Sequence, residues 1–327
     1  MSRLSASQVR FFDEEGYLIL DDVFTPSDLQ PLRREFEERI DCKANALLAN
    51  GQLHNLYADE PFEHRLARIY HESKENGEAV IHDLEGPAGG GHHGREMFIV
   101  ITHPKLLAVV EDLVGPEIIG SSVYRIRPKI PGIGRGVVPW HQDSGYFAQL
   151  CDNHVILTVW IPLVDANTEN GCMRILPRAH RRGICTHHTG GNAGFLVIED
   201  QDLPDDPRQA ITAEVPLSGI VLMTNLTPHC STSNNSDIVR WSVDLRYQGA
   251  GAPNNVGLWP ASEHEEQPAD LQMACYPPEA DFLVQSREHP ERVADYTAFV
   301  QRREAFERVK NIAYPKRGWT PVPLHAD

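Results

Sequence analysis

The feature that most constrains the fold is a change of period near residue 118. Before it, apolar residues recur at helical spacing. Leu29, Leu32, Phe36 and Ile40 follow a start signal, Thr25-Pro26-Ser27-Asp28, with a Thr N-cap, a Pro at the first helical position and an acid at the positive end of the dipole. Leu106, Leu107, Val110 and Leu113 repeat the spacing over residues 103–113, and Gly115-Pro116 ends it. From about 118 to 248, short runs rich in Val, Ile, Thr and aromatics are separated by Gly, Pro, Asn and Asp: 123–126, 155–163, 171–176, 219–223 and 239–247. Helices followed by short strands predict an antiparallel sandwich or barrel and argue against a doubly wound parallel sheet.

Beyond residue 250 the chain reads as Pro- and Gly-containing loops, a charged helix over 290–310 and an irregular tail. The 327 residues lie within reach of one large domain, and no repeat or low-complexity linker divides them. The reading is a single domain over 1–327: a helical N-terminal region over 1–117, a β core over 118–248, and C-terminal loops and helix over 249–327.

Charge narrows the partners. Thirty Lys and Arg against 46 Asp and Glu give −16, which repels phosphate backbones and anionic membrane surfaces. The expected partner is a small molecule, with no nucleic acid and no membrane. No apolar run approaches the ~20 residues that span a bilayer. The N-terminus lacks an apolar leader, and Leu324-His325-Ala326-Asp327 is not a peroxisomal address. The six cysteines form no CxxC pair and read as reduced thiols. A cytoplasmic location is expected; the oligomeric state is left open.

The strongest local feature is Trp140-His141-Gln142-Asp143. On extended backbone, residues i and i+2 point the same way, so His141 and Asp143 place an imidazole beside a carboxylate. Among 16 His and 46 acids such a step also arises by chance, and alone it reads equally as a hydrogen-bonded surface pair. His229, in Pro228-His229-Cys230-Ser231 after an apolar strand, supplies a distant second imidazole. Two His and one carboxylate make the facial triad that suits iron(II) and leaves positions open for other ligands. In the next strand Arg240, Ser242, Asp244 and Arg246 share one face, while Val239, Trp241, Val243 and Leu245 share the other. An Arg on the polar face offers a planar fork to a carboxylate.

Over roughly residues 10 to 248 the sequence resembles the phytanoyl-CoA dioxygenase family of 2-oxoglutarate oxygenases. The matching pieces are Phe12-Asp13-Glu14-Glu15-Gly16-Tyr17-Leu18, His141-Gln142-Asp143, Val159-Trp160-Ile161-Pro162-Leu163, Glu169-Asn170-Gly171-Cys172-Met173-Arg174-Ile175-Leu176-Pro177 with Ala179-His180, and His229 with Arg240 eleven residues beyond it. The resemblance implies a mainly β chain: a double-stranded β-helix (jelly roll) with flanking N- and C-terminal helices. It implies Fe(2+) on His141, Asp143 and His229, 2-oxoglutarate on Arg240, and O2 as oxidant. It also places Gln142, Ser231 and Trp160 near the co-substrate. The implied reaction hydroxylates an unactivated C–H of a small organic molecule and releases succinate and CO2. Asp143 fills the position that related halogenases leave open for a halide. One departure is Arg178-Ala179-His180, where the family has Gly-Ser-His, and it puts the local turn in question.

Other candidates have bland readings beside them. The Gly-rich 86–94 is a flexible loop or a lid. His92-His93 and His187-His188 read as solvent or substrate contacts, because neighbours on a strand face opposite ways. Arg125, Arg127 and Lys129, at period-2 spacing, line the pocket or form a solvated face; Arg125 is the candidate contact to 2-oxoglutarate. Tyr146 and Phe147 are candidate substrate contacts, with core packing the plainer reading. The rival functions are a zinc hydrolase on the same three ligands, a non-catalytic jelly-roll module, and the same cofactor chemistry ending in desaturation, epimerisation, or ring or peroxide formation. Loops 86–97, 183–205 and 250–275 are expected to select the substrate, which the sequence does not name.

Overall fold

The N-terminal helical spacing becomes six helices around one short strand. In the computed structural model they are α1 (Ala6–Glu15), α2 (Pro26–Ala49), α3 (Phe62–Glu72), α4 (Lys74–Glu85), α5 (Arg95–Ile101) and α6 (Pro104–Val114), with β1 (Tyr17–Leu20) after α1. The structure describes residues 3–85, 92–121, 124–134, 136–147, 149–189, 195–204, 206–252, 281–309 and 319–321. The expected α2 start is real: Asp28 accepts the Thr25 backbone N–H at 2.7 Å, and Leu29, Leu32, Phe36 and Ile40 are buried. Of the Gly-rich stretch, residues 86–91 lie outside the described residues.

Strands follow as β2 (Ile118–Ser121), β3 (Arg125–Lys129), β4 (Ile156–Pro162), β5 (Met173–Ile175), β6 (His187–Thr189), β7 (Leu196–Ile198), β8 (Ile211–Ala213), β9 (Ile220–Thr224), β10 (His229–Ser231), β11 (Arg240–Gly249) and β12 (Asp281–Gln285). The chain continues through α7 (Tyr296–Val309) to β13 (Thr320–Pro321). The major sheet runs β1-β9-β4-β11-β2-β12, with β3 also on β11; a smaller sheet runs β10-β5-β8 and a third β13-β6-β7. Pairing within the first two sheets is antiparallel, as expected. Pro128 is tolerated inside β3 because, among the described residues, β3 pairs with β11 alone and its other edge carries no ladder to break.

Three expectations change. The chain is mixed rather than mainly β: helix is 41% and strand 22%. Helices α1 to α6 pack against the major sheet in one shared core with residues of β4, β9 and β11. The C-terminal region is more than loops and a helix, since β12 adds a strand to that sheet beside β2. The late helix begins at Tyr296 rather than near Pro290; Asp295 accepts the Ala298 N–H at 2.8 Å and acts as its cap, while Pro290–Arg292 form only a 3-10 turn.

The period-2 alternation of β11 decides which face does what. Trp241, Val243 and Leu245 point into the helix-covered core, where Trp241 stacks on Phe62 at 4.9 Å. Arg240, Asp244 and Arg246 point the other way, into a pocket also lined by His229, Cys230 and Ser231 of β10 and Met173 of β5. The pocket therefore lies between the major and the smaller sheet.

Candidate active site

His141 and His229 meet across an isolated antiparallel bridge, each backbone N–H donating to the other's carbonyl at 3.0 Å. Their ring centroids are 4.2 Å apart. The Nδ1 of His141 lies 2.9 Å from the Pro139 carbonyl, and that of His229 lies 2.9 Å from the Thr227 carbonyl. A carbonyl only accepts, so both Nδ1 atoms carry the proton and both Nε2 lone pairs are free for a metal. Burial, and then the neighbouring His229, push the His141 pKa down to about 3, so its imidazole is neutral at physiological pH.

Gln142 is extended (φ −118°, ψ 139°), which brings Asp143 back to the side of His141 before a 3-10 turn, Asp143–Tyr146, begins. The ligand atoms of His141, Asp143 and His229 lie within 4.8 Å of one another and all three residues are buried. One carboxylate oxygen accepts from the Thr158 hydroxyl, and the other accepts from the Arg246 guanidinium at 2.9 Å. Burial alone would raise the Asp143 pKa; Arg246 and the two imidazoles hold it well below the usual carboxylate range. Two imidazoles and one fixed carboxylate on a shared centre suit iron(II).

Arg240 is 1% exposed and lies 5.3 Å from the Trp160 ring centroid. It donates to the Ser242 hydroxyl, and its Nε has no partner among the described residues. Burial lowers its pKa to about 10, against the opposing charge of Asp244, so it remains a cation. Trp160 and Ser231 line the same pocket.

Gln142 does not. Its amide donates to the carbonyls of Gly183 (2.9 Å) and Leu226 (2.6 Å), and its carbonyl accepts from the Cys185 N–H (2.7 Å). The alternation that joins His141 to Asp143 sends the residue between them to the opposite side, where it pins the 183–185 segment. Arg125 is not among the pocket-lining residues; Arg127, two residues on, is, and it is paired with Asp244. Phe147 packs with Cys151 and Ile156, the plainer of its two readings. Tyr146 sits edge-on to His141 at 6.4 Å and accepts the Leu196 N–H at 2.9 Å. His92, half-buried, is held against Glu35 and Phe36, and His187 is buried, its Nε2 accepting the Gln142 N–H.

Sequence reasoning missed Thr158, Asp244 and Arg246 as neighbours of the metal ligands. The signal was present: Thr158 shares the inward face of β4 with Trp160, and Asp244 and Arg246 share that of β11 with Arg240. The Arg178 turn is also settled. Arg178 adopts φ 63°, the left-handed region, where the family has Gly. His180 then packs against Gly16, where an added Cβ would lie 2.3 Å from its ring.

The phytanoyl-CoA dioxygenase (PhyH) family model matches residues 12–242, most of the chain, with His141, Asp143, His229 and Arg240 inside the match. The chain belongs to this family. The PhyH chain is 28% identical to the phytanoyl-CoA dioxygenase domain-containing protein 1 of Danio rerio, over 73% of this chain and 88% of that one. It is 25% identical to the peroxisomal phytanoyl-CoA dioxygenase of Rattus norvegicus, over 75% of this chain and 68% of that one. Among solved structures, the non-heme monooxygenase ThoJ superposes with TM-score 0.55 at 16% identity, covering 93% of this chain and 99% of that one. The non-heme α-ketoglutarate-dependent carbocyclase SnoK superposes with TM-score 0.52 at 20% identity, over 84% and 97%. These superpositions place the fold among the double-stranded β-helices of 2-oxoglutarate oxygenases. As a PhyH member with an intact His–Asp–His cluster, the chain is a non-haem iron, 2-oxoglutarate-dependent oxygenase, which sets aside the zinc-hydrolase and non-catalytic alternatives. No helix of the described residues is long and apolar enough to cross a membrane.

Proposed function

We propose that this oxygenase hydroxylates an unactivated C–H bond of a small organic molecule, with His141, Asp143 and His229 holding iron(II) and Arg240 anchoring the distal carboxylate of 2-oxoglutarate. One observation carries the reading: the three clustered ligand atoms and the buried Arg240 open onto the same pocket. Bound iron(II), with 2-oxoglutarate and O2, supplies the oxidising power and releases succinate and CO2.

The chain's own residues prepare that chemistry. Backbone carbonyls at Pro139 and Thr227 hold both imidazoles with Nε2 toward the metal position. Thr158 and Arg246 hold the Asp143 carboxylate ionised and oriented. Asp143 occupies the place a halide would need, which favours oxygenation. Trp160 supports the Arg240 fork, while Val138, Met173 and Met223 keep the walls apolar and exclude water. These walls and the three ligand residues enclose one shared pocket. One oxygen of Asp244 lines this space without a partner among the described residues, an acceptor for a donor on the substrate.

Succinate release across a panel of candidate substrates, followed by product mass, tests the reading. A product heavier by one oxygen supports hydroxylation; a product that has lost two hydrogens or only rearranged overturns it in favour of desaturation or epimerisation. We read the chain as one dioxygenase domain, and its location as the cytoplasm, supported by the free thiols of its five described cysteines.

A further inference from the structure

Lys129 is 1% exposed, and its ammonium donates to three neutral oxygens: the Ser231 hydroxyl at 2.8 Å, the Gly171 carbonyl at 3.2 Å and the Thr232 carbonyl at 2.5 Å. It lies directly opposite Arg240 in the β3–β11 register. Arg240 likewise donates to a neutral hydroxyl, that of Ser242. Among the described residues, neither cation is within ion-pair distance of a carboxylate. Two adjacent buried cations without counter-charge are costly, and a packed apolar side chain would fill the Lys129 position more cheaply if packing were its only task. Burial, and then the charges of Arg240 and Arg127, press the Lys129 pKa down to about 6. An anion bound nearby removes that pressure.

We propose that Lys129 is a positioning residue of the 2-oxoglutarate seat, fixing the Ser231 hydroxyl at the pocket wall and supplying the second buried positive charge that a dianionic co-substrate balances. The proposal rests on the reading of Arg240 as the anchor. Gly171, of Glu169-Asn170-Gly171, has φ 85°, and a Cβ there would lie 2.7 Å from the Thr232 carbonyl oxygen and 2.8 Å from Lys129 Cδ, so this turn packs closely on both the lysine stem and the end of β10. The same ammonium thereby ties β3, the turn before β5 and the end of β10, the strand that carries His229, into one frame.

The test uses Lys129→Met, which removes charge and hydrogen bonds, and Lys129→Gln, which removes the charge and keeps a donor. Iron(II)-loaded protein is titrated anaerobically with 2-oxoglutarate and with 2-oxovalerate, which keeps the keto-acid end and lacks the distal carboxylate. Visible charge-transfer absorbance reports binding, and a thermal melt reports folding. Both variants are expected to lose about tenfold in 2-oxoglutarate affinity while 2-oxovalerate changes less than about twofold. Unchanged 2-oxoglutarate affinity in a folded variant overturns the proposal, as does an equal loss for both oxoacids, which marks a merely structural lysine. Should the Met variant not fold, the Gln variant carries the test alone. Arg240→Ala run alongside separates the two readings: if it keeps 2-oxoglutarate affinity, the anchor is wrong, and if it alone loses affinity, only Lys129 is wrong.

Discussion

The two faces of β11 carry opposite chemistry on the same backbone. One face, Trp241, Val243 and Leu245, is sealed against Phe36, Phe62 and the helices. The other, Arg240, Asp244 and Arg246, is equally buried at its Arg240 end yet charged, and meets a pocket in place of a core. Burial thus does not distinguish stability from function here; the partner surface does. Changes on the apolar face should move the melting temperature and leave cofactor affinity alone, and changes on the polar face should do the reverse.

The largest effect is expected at the far end of the polar face, where Arg246 holds Asp143. Asp143→Ala should lose 2-oxoglutarate-dependent succinate formation by about 10³-fold or more, as does loss of a unit in a cooperating site, and should bind iron weakly. Oxygen uptake, metal stoichiometry and a melt on the same preparation check this. Retained turnover with iron bound would falsify the assignment of Asp143 as a ligand.

Trp241→Ala, one residue from Arg240, should cost about 3–5 kcal/mol of stability, as loss of a fully buried Trp does. Denaturant unfolding measures it, and 2-oxoglutarate affinity of the folded fraction should stay within about twofold of the parent. A large affinity loss there would break the division between the faces. Arg240→Ala should weaken 2-oxoglutarate by about 2–5 kcal/mol with iron binding nearly intact. If it does not, Arg127 and Arg246, the other pocket cations, are next in line.

Acid sharpens the same contrast. The folded metal-free chain keeps His141 neutral down to about pH 3, whereas the unfolded chain takes a proton below about 6.5. Stability from this group is complete above about pH 6.5 and is lost as pH falls from there toward 3. Asp143, with its pKa depressed, adds a further loss below about 4. The melting temperature of the metal-free protein should fall between pH 6.5 and 4, and His141→Gln should flatten that fall. An unchanged slope in the variant would place the proton uptake elsewhere.

The smallest effect lies outside both faces. Arg178→Gly relieves a left-handed backbone at the cost of a weak, exposed ion pair to Glu15, and should stabilise by about 0.5–1 kcal/mol. A melt that shifts downward would mean that the Arg178 side chain matters more than its backbone.

Much of this was legible locally. The starts of α2 and α6 follow from caps, prolines and apolar spacing, and β4, β9 and β11 fall within a residue or two of their expected starts. His141, Asp143, His229 and Arg240 follow from two-residue alternation, strand context and motif spacing. The misreadings have physical causes. Gln142 was assigned to the co-substrate by resemblance, although alternation already pointed it away. The late helix was begun at Pro290, because a proline and an acid mimic a start that Asp295 performs. The chain was taken as mainly β by resemblance, although the helical reading of 1–117 and 290–310 already covered a large part of it.

The sequence by itself determined the local periods, and with them which side chains of β11 share a face and which three residues can meet at a metal. Those depend only on backbone geometry within a few residues. Register between distant strands was decided by the tertiary structure: Lys129 opposite Arg240, Asp244 beside Arg127, Arg246 on Asp143, β12 added to the edge from beyond residue 280. Each joins segments tens of residues or more apart, where the choice rests on summed packing and charge across a closed loop. No short stretch of sequence records that sum.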